Sequence, residues 1–247
     1  MTYNGALVRE KMKIYVYNYL EPLGKLVHPY YELHQEHVTI LNGNDGSDGH
    51  YFSDLNGDYY IFKNAKDDII GKMQYRKWLK NKNGELFSDQ EIKDILNDDD
   101  IIFGRPLMWK HSLYVDYCLV HPKEDWEKLR GIIKMLYNAE EMFDMFFNSM
   151  NVLIPCNIYI ANKEIIMDYY RWLFPILAML TFEINKDILD KREFYQQRIF
   201  GYLAERLLGF YFLIVKPQIK IFFAEHNILE AMDFDKEKNF VSLTFPE

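Results

Sequence analysis

Short β-branched and aromatic runs alternate along the chain with longer stretches of helical period. KIYVY at 13–17 reads as an opening strand, DIIGKM at 68–73 as a second, DIIF at 100–103 as a third stopped by Gly104 and Pro106, and NVLIPCNIYI at 151–160 as a fourth. Between them DYYIFKN at 58–64 reads as part of a helix with aromatic packing. Ser88-Asp89-Gln90-Glu91 is a capping box, in which Ser88 and Glu91 satisfy free backbone amides at the start of a helix running to about 96. Residues 123–147 form an amphipathic helical region opened by Pro122, Glu124 and Asp125, and 163–182 return to helix with a kink expected at Pro175. The last strong element is FYQQRIFGYLAERLLGFYFLIV at 194–215. Its helical wheel gathers Phe200, Leu203, Ala204, Leu207 and Leu208 on an apolar face, and places Tyr195, Arg198, Tyr202 and Glu205 along another stripe. That stripe either points one cation, one carboxylate and two phenols into a shared space or is simply solvated.

Strand, helix, strand in this order predicts an α/β domain with a partly parallel sheet and crossover helices. One domain is expected, with a leader at 1–11, a core at 12–220 and a tail at 221–247. No internal repeat or low-complexity tract appears.

Composition narrows the functional classes. Apolar residues make up 49% and aromatics 17%, which supports a large core rather than disorder. A net charge of -8 argues against a general nucleic-acid binder, which needs many cations along a phosphate backbone. Cys118 and Cys156 lack CxxC spacing and lie in apolar runs, so neither a disulfide framework nor a zinc site is expected, and a reducing cytoplasm fits. The N-terminal residues lack the pattern of a secretory signal. The most apolar stretches, 172–182 and 207–215, fall short of a bilayer span and read as core. His34 and His37 have helical spacing but no placed third metal ligand, and they read as surface. NGNDGSDG at 42–49 is a loop of turn formers and a candidate lid. The triplet Asp98-Asp99-Asp100 precedes a strand and reads as a solvated turn rather than a metal motif.

MQYRKWLK at 73–80 poses the chemical question, because an acidic chain ends an apolar strand in Arg76, Lys77 and Lys80. Cations at a strand end suit a grip on one anion. The segment 72–82 carries five cations and no acid, and Lys80 and Lys82 also suit an anionic lipid surface in a peripheral membrane association.

DYYIFKN (58–64), GKMQYRKWL (71–79), DIIFGRP (100–106), CNIYIANKEIIMDYYRWLFPIL (156–177) and YQQRIFGYLAERLL (195–208) together resemble bacterial capsular and exopolysaccharide glycosyltransferases long catalogued as a domain of unknown function. The resemblance spans residues 13 to about 219, and its last segment is the most specific. It implies a GT-A-like Rossmann-type sheet holding a nucleoside diphosphate at the carboxyl ends of its strands. It further implies transfer of a hexose, galactofuranose being one candidate, from a UDP-sugar to a growing capsular, exopolysaccharide or O-antigen glycan. Such enzymes commonly place an Asp-x-Asp metal motif after a central strand. Here that place holds Gln74-Tyr75-Arg76-Lys77, so cations acting directly on the diphosphate, with no metal cofactor, are the expectation; manganese or magnesium is the alternative. Position 74 is Gln where the family usually has His, and the segment from Asp54 lacks the usual Cys-Glu-Leu start.

An inverting transfer requires a group near the acceptor that takes its proton, for which Glu205 and then Asp54 are the candidates. On this reading Arg198 binds phosphate or holds Glu205, Tyr202 shares its stripe, and Asn157 bonds donor-sugar hydroxyls. Tyr17 and Asn18 meet the nucleotide base, Tyr75 accompanies Arg76 and Lys77, and His121 matches a family position after Tyr117. The competing readings are a non-catalytic scaffold of a polysaccharide assembly complex and a nucleotide-sugar hydrolase or phosphotransferase.

Overall fold

The computed structural model describes residues 11–18, 38–42, 49–227 and 240–241. His34, His37 and residues 43–48 of the expected lid loop lie outside these. Ten strands are described: β1 (Met12–Asn18), β2 (Val38–Asn42), β3 (Ile69–Gln74), β4 (Leu79–Lys80), β5 (Ile101–Gly104), β6 (Leu107–Trp109), β7 (Val152–Leu153), β8 (Tyr159–Asn162), β9 (Ile221–His226) and β10 (Phe240–Val241). Seven of them form one sheet in the order β2-β1-β3-β8-β5-β9-β4, while β10, β6 and β7 form a small second sheet. The α/β expectation holds.

Alternation builds the layers. Met12, Ile14 and Val16 of β1 turn to one face of the sheet with Ile69 and Met73 of β3, and there they meet Phe87, Ile92 and Leu96 around the helix Asp89–Asp98. Tyr15 and Tyr17 turn to the other face with Ile70, Phe103 and Tyr159, under the helices Leu55–Asn64, Lys163–Glu183 and Ile199–Phe210. The helix Lys163–Glu183 is long and apolar enough to cross a membrane by length and composition, yet it buries Ile166, Tyr169, Tyr170, Leu173, Ile176 and Leu177 in this layer. It runs through Pro175 without ending.

Strand direction decides where a site can form. β1, β2 and β3 run parallel, and β8 is antiparallel to both β3 and β5. The carboxyl ends of β1 and β3 therefore lie at the same sheet edge as the amino end of β8. Tyr17 pairs with Gln74 in register, and Tyr159 pairs with Lys72, so the residues before Tyr159 sit across from those after Lys72.

Four boundaries differ from expectation. The expected core end at 220 falls short, because Ile221–His226 is an inner strand between β5 and β4. The region 123–147 is two helices, Lys123–Tyr137 and Glu140–Ser149, parted by Asn138, whose φ of 49° is the left-handed conformation that Asn tolerates at a helix end. The run 151–160 is not one strand, since Cys156 (φ 69°) and Asn157 (φ 49°) are both left-handed and break it before β8. The late element divides into Phe194–Gln197, Ile199–Phe210 and a π-turn at Tyr211–Val215, with the first break at Arg198. The capping box at Ser88 forms as expected, Glu91 N donating to Ser88 Oγ and Ser88 N to Glu91 Oε2.

Candidate active site

The strand ends and the late helix enclose a cavity of about 510 Å³, within the range of small-molecule sites. Tyr17, Asp54, Tyr75, Arg76, Lys77, His121, Asn157, Arg198, Tyr202 and Glu205 all line it. Lys80, the third cation of the 73–80 segment, is not among its walls, and Asn18 ends β1 with its side chain outside the described residues. The stripe Tyr195, Arg198, Tyr202 and Glu205 thus faces a concave space and not open solvent.

The cations stand on a pinned turn. Gln74 N donates to Lys77 O and Lys77 N to Gln74 O, each at 3.0 Å, and Tyr75 N reaches Tyr17 O at 2.9 Å. Buried Asn227 closes the turn from outside, accepting from Trp78 N at 2.8 Å and donating to Arg76 O at 3.0 Å. Arg76 is exposed and lies over the Tyr75 ring at 5.4 Å; half-buried Lys77 donates to Cys156 Sγ at 3.3 Å.

Lys72, counted above with the surface cations, is instead wholly buried. Alternation puts it on the face toward the helix Leu55–Asn64, where Nζ meets Asp58 Oδ2 at 2.5 Å and Asp54 Oδ2 at 2.9 Å. Tyr170 donates to Asp58 Oδ1 at 2.7 Å and shares a hydroxyl contact with Tyr159. Burial raises the Asp58 carboxyl to about 6 in spite of Lys72, and the two carboxylates hold Lys72 charged. Asp54 also accepts from Gln74 Nε2 at 3.1 Å. Asp54, the second catalytic candidate, lines the cavity, and its Oδ2 is engaged by both Lys72 and Gln74, which it anchors.

Glu205, the first candidate for the acceptor proton, stands at the cavity. It is half-buried on the cavity wall, and its Oε1 accepts from the left-handed Cys156 amide at 2.5 Å. Arg198 donates to Ser53 Oγ at 2.6 Å and lies 5.9 Å from the Tyr202 ring centroid, so what it holds is the Ser53–Asp54 loop and not Glu205. Tyr17 OH grips the same loop through Ser53 O at 2.7 Å. Ser53 is itself left-handed (φ 54°), and Gly201 permits the close approach of the late helix, since a Cβ there would stand 3.2 Å from Ser53 Cβ.

His121 sits among rings, 4.4 Å from Tyr202, 4.9 Å from Tyr117 and 5.7 Å from Tyr195 between centroids, with Nδ1 3.0 Å from Gln196 Oε1. Burial first, and Arg206 after it, lower its pKa to about 4, so the ring is neutral at physiological pH. Asn157 is 6% exposed and its Oδ1 has no hydrogen-bond partner.

Sequence reasoning passed over Ser53, Asp116 and Arg206. Buried Arg206 spans Asp116 Oδ2 at 2.8 Å and Tyr202 O at 3.1 Å, over the Tyr117 ring. Its position four residues after Tyr202 was a readable signal; its partner 90 residues away was not. Among the described residues no three His, Cys, Asp or Glu side chains gather as a metal site. Asp100 instead accepts from Lys220 N, and Lys220 Nζ reaches Asp98 O.

The family profile described as a domain of unknown function, DUF4422, matches residues 35–216. The chain belongs to the DUF4422 family. Among solved structures, the bifunctional glycosyltransferase WbbM in its apo form is similar at a TM-score of 0.70 and 18% identity over 87% of this DUF4422 chain. The match spans 45% of the WbbM chain. At that identity the likeness establishes the GT-A-like fold. The mannosyltransferase Ktr4p from S. cerevisiae in complex with GDP matches at a TM-score of 0.33 and 8% identity, over 69% of this chain and 62% of that one, too low to carry an argument. No curated protein matches the chain.

Proposed function

We propose that the chain is a nucleotide-sugar-dependent glycosyltransferase that moves a hexose from a UDP-sugar to a surface glycan, galactofuranose being one candidate. One observation carries the reading: Arg76 and Lys77, at the carboxyl edge of the parallel strands, line the same cavity as Glu205 of the late helix. An anionic leaving group binds where α/β sheets take nucleotides, and a carboxylate of the same cavity stands ready for the acceptor proton. The glycosyltransferase fold likeness agrees with it.

In this reading the diphosphate lies along the Gln74–Lys77 turn. Arg76 offers it a fork and Lys77 a point charge, each strengthening as negative charge develops on the departing oxygen. The unpaired Asn157 Oδ1 accepts from a donor-sugar hydroxyl, which removes the cost of a dry acceptor. Glu205, oriented by the Cys156 amide, takes the proton of the attacking hydroxyl. The two cations serve without a metal, so EDTA leaves transfer unchanged and manganese or magnesium adds nothing. The assay is mass-spectrometric detection of product from purified protein given a panel of UDP-sugars and lipid-linked acceptor mimics, with melting followed as UDP is added. A millimolar nucleotide site raises the melting temperature by mass action. Neither stabilisation by any nucleotide nor any product would leave the scaffold reading standing, and UDP release without an acceptor would favour a hydrolase.

A further inference from the structure

The cavity has two chemically distinct walls. The strand ends supply Gln74, Arg76, Lys77 and Asn157, all polar, whereas the segment before the late helix supplies Phe194 and Tyr195, which remain 63% and 51% exposed although they line the cavity. The Tyr195 ring is braced. It lies nearly parallel to His121, at 9° and 5.7 Å between centroids, and 5.0 Å from Tyr202. An aromatic ring supported by two neighbours and open to a cavity presents a flat apolar face already fixed in place, the surface that the C–H face of a pyranose or furanose ring covers.

We propose that this aromatic wall is the seat of an acceptor sugar, its ring stacked on Tyr195 and Tyr202 and its reacting hydroxyl turned toward Glu205. The assignment rests on the glycosyltransferase reading and deepens it. Three observations support a sugar here. The rings surround a neutral His121 and Arg206 is paired with Asp116, so the aromatic surface itself is uncharged, while Arg198, whose charge the Ser53 hydroxyl does not offset, stands 5.9 Å from the Tyr202 ring centroid. Tyr202 and Glu205 are three residues apart on one helix and point the same way, which sets the carboxylate beside the stacked ring. The rival occupant, a nucleobase, belongs with Tyr17 at the carboxyl ends of β1 and β3.

Saturation-transfer NMR tests the seat directly, irradiating protein aromatic protons and reading methyl β-D-galactopyranoside, methyl β-D-glucopyranoside and methyl α-D-mannopyranoside with and without saturating UDP. Transfer to one ring face of at least one glycoside is expected, undiminished by UDP. Tyr195→Ala should cut it by about five- to tenfold, while Tyr195→Phe, which keeps the ring, should retain it. Because Tyr195 is half-exposed, both variants should fold, and circular dichroism checks this. The seat is overturned if no glycoside receives transfer, if Tyr195→Ala transfers as well as the parent, or if UDP displaces the glycoside and loses affinity in Tyr195→Ala, the mark of a base-stacking site. UDP binding without glycoside transfer would fail this inference alone. Tyr195-dependent transfer in a protein that binds no nucleotide would keep the seat and fail the donor reading.

Discussion

Replacing Lys72 by Met tests the buried network on which the site is built. Lys72 is fully enclosed, with Asp58 at 2.5 Å and Asp54 at 2.9 Å, and those carboxylates have 4% and 12% of their side-chain surface exposed. Removing one partner of a buried pair leaves uncompensated charge and costs about 3–5 kcal/mol. Set against a total stability of about 5–15 kcal/mol, this is a large fraction. Two like charges in one dry site cannot both stay ionised, so in Lys72→Met the pair holds a proton at neutral pH. Its folded pKa is then raised above the unfolded value of about 4; the folded state keeps a proton that the unfolded chain gives up. Stability from that proton is fully present below about pH 4 and is lost as pH rises through the raised value, so the deficit of the variant should be larger at about pH 7.5 than at about pH 5. Urea unfolding followed by circular dichroism reads both. Adding Asp58→Asn to Lys72→Met should restore part of the loss by removing one of the two charges. A deficit under about 1 kcal/mol at neutral pH, or one that does not change with pH, would show that water reaches these groups and that the network is no foundation.

Three further outcomes are expected. Glu205→Gln should keep its acceptance from the Cys156 amide and its melting temperature while kcat falls by about 10²–10⁴; a smaller loss in acceptor-dependent assays would remove Glu205 as the base. Lys77→Met should weaken UDP binding by calorimetry about 10- to 100-fold, and exposed Arg76→Ala should cost less and lose its effect at high salt; equal, salt-independent effects would contradict the placement. Because His121 is held down at about 4 against an ordinary value of about 6.5, the stability it favours is present above the ordinary value and lost as pH falls toward 4. The parent should therefore lose about 2 kcal/mol more than His121→Phe between about pH 7.5 and pH 5 in urea titrations, and parallel profiles would refute the shift.

The parts of the site that were legible in sequence are those set by local spacing. Tyr195, Arg198, Tyr202 and Glu205 follow a helical stripe, and the Gln74–Lys77 turn follows directly from where an apolar strand stops. Short β-branched and aromatic runs likewise marked β1, β3 and β5. What stayed hidden depends on pairing across the chain. Nothing near Lys72 announces that Asp54 and Asp58 will enclose it, and Asp116 bears no local relation to Arg206. The strand Ile221–His226 is not legible locally, because its place in the sheet is fixed by its partners β5 and β4. Cys156 and Asn157 carry no glycine signal for the left-handed backbone they adopt.

That last exception shows how the walls are joined. Asn157 tolerates the left-handed region, but Cys156 there costs about 1–3 kcal/mol and persists only where its surroundings over-determine it. Here the surroundings do. The Cys156 amide is fixed by Glu205 from the late helix, its carbonyl by Gln74 from the end of β3, and its sulfur by Lys77 from the turn that follows. Gln74 is tied in turn through Asp54 to Lys72. A carboxylate suited to an acceptor and a cation suited to a diphosphate are therefore held to one strained residue, and the distance between them is set by the fold before any ligand arrives. For the proposed transferase, which must align a hydroxyl, an anomeric carbon and a leaving phosphate, such fixed spacing is an advantage.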